Sequence, residues 1–292
     1  MSGAPLPVVV NRSGGTAAAL GDTLEAKLRE AFGAAGRDID LHLPDGPGMA
    51  AALARVAGAP VVAVGGGDGT QGQAAGVLAK AGSALAILPL GTRNHLARQL
   101  GIPLELEAAA RVAVTGTRTR IDLARAGDRV FVNNASAGLY VRLVSAREAV
   151  GGPKWLATIP AALHVLRHLR ERRVRLTIDG QEQIIKTPLL FVGNNRYSFA
   201  QGSVGERESV TGGKLSLYAL APKSAGQLVW FSLRAMLGRA DLDRDFATLS
   251  EATKVVVGGQ GTARIAFDGE VERVCLPLEF AILPGALEVL VP

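Results

Sequence analysis

Over the first 120 residues, short apolar runs alternate with stretches that are apolar only every third or fourth position. Pro7–Val10 is a brief apolar run closed by Asn11-Arg12-Ser13-Gly14-Gly15. From Thr16 to Ala35, Leu20, Leu24, Leu28 and Phe32 recur at a spacing of four, which predicts an amphipathic helix. Asp38–Leu43 alternates as a strand does, and Met49–Ala57 reads as a second helix. Val61–Val64 reads as a buried strand, Gln71–Ala81 as a helix and Ala84–Leu88 as another strand. Successive strand–helix units of this kind predict a parallel sheet with helices on its faces, a three-layer α/β domain.

The pattern changes near Arg120. Ile121–Leu123, Arg129–Asn133, Val174–Asp179, Ile184–Gly193, Lys214–Leu220, Lys254–Val257, Thr262–Phe267 and Leu276–Leu283 read as strands separated by turn residues, as in IDGQEQ. That predicts an antiparallel β-rich domain, a β-sandwich in class. The expected division is residues 1–120, joined by the C-terminal segment 285–292, and residues 121–284. The last run, Leu287–Val291, is expected to return to the N-terminal domain. Between the strands, Lys154–Leu176 sets Leu156, Ile159, Leu163, Leu166 and Leu169 on one stripe. Arg167, Arg170, Arg172 and Arg173 crowd its other side. Such a helix either covers a core or lies on an anionic bilayer.

Composition narrows the function classes. The chain has 292 residues, 48% of them hydrophobic, and one cysteine, Cys275, so no internal disulfide framework is possible. MSGAPLPVVVN lacks a basic segment followed by an apolar one, and no run of 18 uncharged apolar residues exists. A cytoplasmic location is therefore expected. The net charge of +6 favours acidic partners such as nucleotides or phospholipid surfaces. Few aromatics, with none interleaved among the basic residues, argue against nucleic acid. His164 and His168 have the spacing of zinc ligands, but no third ligand is nearby.

One stretch asks for a chemical explanation. VVAVGGGDGTQGQA, residues 61–74, runs from a strand into Gly65, Gly66, Gly67 and Gly69 around a single carboxylate, Asp68. Glycines in such number cost conformational entropy, so they point to a tight turn or to close approach of a ligand. A strand, a glycine loop and a helix are the geometry that gathers backbone N–H groups on phosphate. The Walker pattern is absent, because no lysine follows these glycines. Gly67-Asp68-Gly69-Thr70-Gln71-Gly72 matches the dinucleotide pattern, but no Asp or Glu occurs from Thr70 to Leu104 to hold a ribose. Asp68 has a plainer reading too, as the cap of the helix that follows.

GGDGT resembles the signature shared by diacylglycerol kinases, sphingosine kinases and NAD kinases. LPLGTRNHLARQLGIP, Leu88–Pro103, is similar to a segment of the bacterial diacylglycerol-kinase-like lipid kinases. VVVNRSGG, FVNNASAGLY, LLFVGNNRYS, GGKLSLYAL and FDGEV follow in the order of that family, so the resemblance spans nearly the whole chain. It implies an ATP-dependent lipid kinase that uses Mg²⁺ and meets its lipid at the membrane surface, with the Lys154–Arg175 region as a candidate contact. It also implies a nucleotide site at Asn11, Ser13, Gly66, Gly67, Asp68, Gly69, Thr70, Gly91, Thr92 and Asn94. The glycines would admit a triphosphate, Thr70 would donate a hydroxyl hydrogen bond, and Asp68 would hold the metal. In FDGEV, Glu270 takes the place of the proton acceptor and Asp268 assists it or orients the metal. Without the family, DGE reads as a common hairpin turn.

Departures from the family pattern bear on the expectation. Gly72 and Gln73 stand where relatives carry Asn and Glu, Arg12 replaces a proline, and His95 follows Asn94 in place of an aspartate. Gly212, in Thr211-Gly212-Gly213-Lys214, replaces the aspartate of a structural Mg²⁺ site, which is therefore expected to be lost. Two other readings stay open: an NAD-kinase-like enzyme acting on a soluble alcohol, and a non-catalytic lipid- or nucleotide-binding protein. A homodimer is compatible with all three.

Overall fold

The structure, a computed structural model, describes residues 4–138, 172–198, 206–220 and 246–292. Most of the basic Lys154–Leu176 stretch, with His164 and His168, lies outside them. The helices are α1 (Gly15–Leu20), α2 (Leu24–Ala34), α3 (Met49–Val56), α4 (Asp68–Ala81), α5 (His95–Gln99) and α6 (Leu106–Thr115). The first nine strands are β1 (Leu6–Val10), β2 (Ile39–His42), β3 (Val61–Gly66), β4 (Ala84–Pro89), β5 (Thr117–Ala126), β6 (Arg129–Phe131), β7 (Asn134–Gly138), β8 (Arg172–Ile178) and β9 (Gln181–Thr187). The others are β10 (Leu189–Asn194), β11 (Tyr197–Ser198), β12 (Glu206–Arg207), β13 (Leu215–Leu220), β14 (Phe246–Ala252), β15 (Lys254–Val257), β16 (Thr262–Phe267), β17 (Glu270–Cys275) and β18 (Leu278–Val291). Two compact units result: Met1–Leu123 with Arg129–Val132 and Leu283–Pro292, and Ala124–Asp128 with Asn133–Ile282.

The first unit is the expected parallel α/β arrangement. Its sheet runs β2-β1-β3-β4-β18, with parallel pairing of β1 to β2, β1 to β3 and β3 to β4. Val8, Val9, Val10, Val62, Ala63 and Val64 are completely buried, because a sheet covered on both faces reads as continuous apolar runs. The helices pack as two pairs, α2 with α6 and α3 with α4. The end of β18 joins this sheet, with Val289 opposite Leu85 and both side chains fully buried. Arg118 and Arg120 hold Glu288 of the same strand, at 3.0 and 3.3 Å.

Several boundaries differ from the expected ones for local reasons. The helix expected over Thr16–Ala35 is two helices, because Gly21 adopts φ +52° and a 3₁₀ turn, Gly21–Thr23, intervenes. Leu24, Leu28 and Phe32 are buried as the spacing predicts, while Leu20, ahead of the break, is half-buried. The strand expected over Ile184–Gly193 is interrupted at Pro188, which has no N–H to give to a ladder. Its halves, β9 and β10, belong to different sheets. The expected Leu276–Leu283 and Leu287–Val291 runs are one strand, β18. Within it, Gly285 at φ +58° donates its N–H to Asp122 Oδ1 at 2.8 Å.

The second unit is antiparallel. One sheet has the order β14-β13-β10-β7-β16-β17; the other runs from the Leu278–Ile282 part of β18 through β15 and β8 to β9. Leu176, Leu215, Leu217, Val255 and Phe267 are completely buried. Two Asp-Gly turns close hairpins: Asp179-Gly180 at φ +44° and +89°, and Asp268-Gly269 at φ +48° and +94°. Positive φ at both central residues is the type I′ geometry that Asp-Gly tolerates.

Candidate functional site

The parallel strands of the first unit end in three loops that meet. Asn11 follows β1 and donates its backbone N–H to Gly65 O at 3.0 Å. Its Nδ2 donates to Thr70 Oγ1 at 3.3 Å, and its Oδ1 accepts from Ser13 N at 3.1 Å. Thr70 therefore accepts through its oxygen and keeps its own proton to give. The loop after β3 is packed backbone to backbone against the loop after β4. A Cβ on Gly91 would lie 2.3 Å from Gly67 Cα, and one on Gly66 only 2.6 Å from Thr70 Cβ. Gly15, at φ +55°, has the same constraint, since its Cβ would sit 2.5 Å from Leu90 O. No side chain fits at these three positions, so each of them presents main chain alone. This happens at the carboxyl ends of the strands, where open α/β sheets bind ligands.

Asn94 is the lock of this cradle rather than an exposed contact. It is buried at φ +53°; its Oδ1 accepts from Gly91 N at 2.9 Å, and its Nδ2 donates to Pro89 O and Gly91 O at 3.1 and 2.9 Å. Both amide protons are consumed in holding the loop. Thr92 and Ser13 are exposed, and Gly69 is half-buried in the first turn of α4.

Asp68 corrects the plain capping reading. Helix α4 starts at Asp68 itself, earlier than the expected Gln71, and its N-cap is Gly67, with no side-chain cap. The half-buried carboxylate turns to another helix, accepting from Leu96 N in the first turn of α5 at 3.3 Å. That bond uses Oδ1 and ties the glycine loop to the Asn94 segment. Beside it Gln71, which the sequence reading passed over, is buried and donates Nε2 to Val64 O at 2.9 Å. Gln73, in the place of a family glutamate, is half-buried.

Asp268 and Glu270 belong to the second unit, at the hairpin between β16 and β17. Asp268 Oδ1 accepts from Asn133 N at 2.7 Å and Asn134 N at 3.2 Å, and its own N–H goes to Asn134 O at 2.9 Å. This carboxylate thus anchors the start of β7. Glu270 is exposed at the first position of β17, opposite Phe267. The sequence reading also missed Tyr197, which donates to Asn133 O at 2.9 Å and accepts from Asn134 Nδ2 at 3.4 Å. Burial pushes its phenol up to about 12, so it stays neutral at physiological pH.

Between the strands of this unit lies a cavity of about 660 Å³. Val174, Leu190 and Phe280 give it apolar walls, Arg173 and Arg264 supply positive charge, and Ser136 brings a buried hydroxyl with no hydrogen-bond partner among the described residues. That is the size of a small-molecule site. Near the expected second metal site, a Cβ on Gly212 would stand 2.9 Å from Asn195 Oδ1, and that oxygen accepts from Lys214 N at 3.4 Å. Among the described residues, no three His, Cys, Asp or Glu side chains gather as a metal cage. No helix among them is long and apolar enough to cross a membrane.

Comparison with known proteins gives two family matches. Residues 5–126 match the diacylglycerol kinase catalytic domain, and residues 136–291 the YegS C-terminal NAD kinase beta sandwich-like domain. The chain is 41% identical over 103 residues to "Probable lipid kinase YegS-like" of Klebsiella pneumoniae (strain 342), covering 32% of this chain and 35% of that one. It is 36% identical over 113 residues to "Probable lipid kinase YegS" of Salmonella heidelberg (strain SL476), covering 35% and 38%. The matched part thus spans little more than a third of these relatives. The crystal structure of a diacylglycerol kinase from Bacillus anthracis str. Sterne superposes with a TM-score of 0.69 at 20% identity, over 99% of this chain and 97% of that one. A second diacylglycerol-kinase-like chain of that organism gives 0.74 at 23% identity, over 100% and 96%. At such identities the likeness is one of fold.

Proposed function

The chain belongs to the diacylglycerol kinase catalytic-domain family, with a YegS-type C-terminal β-sandwich domain, and on that premise we propose that it transfers the γ-phosphoryl group of ATP to a hydroxyl of a lipid alcohol. The observation that carries the reading is the close-packed glycine loop ends at Gly15, Gly66 and Gly91, where a side chain has no room; Asn94 holds the Gly91 N–H, and other main-chain N–H groups of these loops would meet a triphosphate. The apolar cavity of the second unit supports an acyl chain over a soluble alcohol.

The donor set suits Mg²⁺, which keeps most of its waters and takes one or two carboxylates with substrate phosphates. Asp68 is the one carboxylate of the first unit's glycine loop and would hold it. Bound there, the ion would neutralise charge on the β- and γ-phosphates. Thr70 would give its free hydroxyl proton to a phosphate oxygen, while Asn11 orients that hydroxyl. Asn94, by locking the Gly91 loop, acts as a positioning residue.

Glu270 would accept the proton of the lipid hydroxyl as its oxygen bonds to the γ-phosphorus and the β–γ bridging bond breaks, leaving ADP. Asp268 would keep the turn bearing Glu270 in place through Asn133 and Asn134. The enzyme would work peripherally, on the cytoplasmic face of a membrane.

The test offers the full chain Mg²⁺ and γ-labelled ATP with vesicles of a total lipid extract, and in parallel with NAD. The expected result is a labelled lipid on thin-layer chromatography, no labelled dinucleotide, and loss of labelling in Glu270→Ala with nucleotide binding intact. Label on NAD alone, or nucleotide binding without any transfer, overturns the proposal.

A further inference from the structure

We propose that the cavity of the second unit binds an amphiphile with one long chain and an anionic head, the chain between the two sheets and the head on a cationic rim. The walls come from facing strands. Ala135 and Ala137 of β7 lie opposite Val192 and Leu190 of β10, and opposite Phe267 and Ile265 of β16, so these side chains share one face of their sheet. In the other sheet, Val257 lies opposite Leu176 and Leu278, and Val255 opposite Ile178 and Phe280. Alternation along the strands adds Ala263 to the first face and Val174 to the second. Ala137, Leu190 and Ile265 of one face and Val174, Val257 and Phe280 of the other line the hollow.

Packed sheets stand about 10 Å apart and fill that space with interdigitating side chains. Ala135, Ala137 and Ala263 are too short to fill it, and Ala137, Val174, Val257 and Ala263 stay half-buried although they stand on the inner faces. The hollow has a closed end and an open one. Val192, Ile265 and Phe280 are buried, whereas Gly138, Gln260 and Thr262 are exposed. Its volume of about 660 Å³ lies within the range of about 300–1,000 Å³ that holds one small ligand.

The charge of the rim selects the head. Arg173 lines the cavity, and Lys186 lies directly opposite it in the β8–β9 ladder, next to the lining Thr187. Arg264 lines it too, opposite Arg273 in the β16–β17 ladder. All four cations are exposed. Like charges set directly opposite destabilise a sheet, and an anion between them relieves that cost. Arg173 and Lys186 have no ion-pair partner among the described residues, and no described lining residue is Asp or Glu. The proposed function sends an acyl chain to this same hollow, so the amphiphile would compete with the acceptor lipid. Binding itself needs neither ATP nor transfer and is measured apart from them.

Equilibrium binding of radiolabelled palmitate, hexadecyl phosphate and hexadecanol to the full chain, without nucleotide, tests this. The three share one chain and differ in the head, so the tighter of the two anions identifies the head that the rim prefers. We expect one palmitate or hexadecyl phosphate per chain, bound about tenfold more tightly than hexadecanol and more weakly as salt rises. Octanoate should bind far more weakly, since each methylene is worth about fourfold. Arg173→Gln and Lys186→Gln should each weaken the anions about two- to fivefold, and together about tenfold, while leaving hexadecanol unchanged. Ala137→Phe fills the hollow and should abolish binding of all three. Ala263→Leu fills it from β16 if thermal melts by circular dichroism show that Ala137→Phe does not fold. Failure of both anions to bind, hexadecanol binding as tightly as they do, or binding indifferent to the filling and charge variants would refute the site. If the expected binding holds while no lipid is phosphorylated, the site stands and the proposed function fails.

Discussion

Replacing Gly91 with alanine puts the close-packed cradle to a direct test. The new methyl carbon would stand 2.3 Å from Gly67 Cα, 2.7 Å from Asn94 Oδ1 and 3.0 Å from Gly67 N. Non-bonded carbons settle near 3.5 Å, so the two loops would have to part by about 1.2 Å. Two of the three neighbours are backbone atoms and cannot swing aside. Overpacking of this kind costs about 1–3 kcal/mol. Displacing Asn94 also weakens its bond from Gly91 N, worth about 1 kcal/mol more. Urea unfolding should therefore show a loss of about 2–4 kcal/mol. A misplacement near 1 Å should lower transfer about a hundredfold and weaken nucleotide binding. Gly33→Ala is the matched control: it lies exposed in α2, no atom stands within 4 Å of its Cβ, and it should gain about 0.5–1 kcal/mol. If Gly91→Ala unfolds at the wild-type midpoint and binds ATP normally, the packing argument is wrong. If it is destabilised yet binds and transfers normally, the contact is structural and the phosphate reading fails.

Other consequences are open to measurement. Asp268→Ala strands the N–H groups of Asn133 and Asn134 and should cost about 2–4 kcal/mol in urea unfolding, whereas Asp268→Asn keeps an acceptor and should stay within about 1 kcal/mol of wild type. Tyr197 is harder to ionise when folded, so its share of stability is complete below pH 10 and drains away as pH rises toward 12. A shift of that size is worth roughly 2–3 kcal/mol, and Tyr197→Phe should flatten the alkaline limb of a stability–pH curve. For Asp179, burial alone would raise the carboxyl, but hydrogen bonds from Lys254 N and from Thr253 outweigh it and hold it below its ordinary 3.8. Its stabilisation is present above pH 3.8 and is lost as pH falls through the lower folded value, so Asp179→Asn should remove part of the acid-side slope of the same curve.

Local pattern revealed the sheet of the first unit because its strands are buried on both faces and read as unbroken apolar runs. The same logic missed β7, whose residues Asn134–Gly138 are small or polar and offer no run to detect. It also joined β9 to β10 across Pro188, where the missing N–H outweighs a continuous apolar texture. In the cradle, the glycine spacing disclosed a place of close backbone approach. It could not disclose which backbone meets which, since the contact of Gly67 with Gly91 crosses from one strand–helix unit to the next. Asn94 could be singled out in the sequence as a candidate residue but not as the lock of the loop, because an asparagine in the left-handed region can be recognised only from its φ.

The Asp-Gly-Glu segment shows why local and functional readings need not compete. Its plain reading as a hairpin turn is correct, since Asp268 and Gly269 take the two positive φ values that a type I′ turn demands. That turn fixes where the aspartate carboxylate points, and it points at two backbone N–H groups about 135 residues earlier in the chain. The turn thereby becomes the fastening between β16 and the head of β7, and Tyr197 closes the same knot on Asn133 and Asn134. Glu270 is left one residue beyond the turn, exposed, with its backbone already committed to the ladder opposite Phe267. A base that must take a proton without reorganising is best carried on a strand end held this way. Asp179-Gly180 captures distant main chain in the same way, at Thr253 and Lys254, so what sets the Asp268-Gly269 turn apart is the second carboxylate that follows it, Glu270, where the other turn carries Gln181.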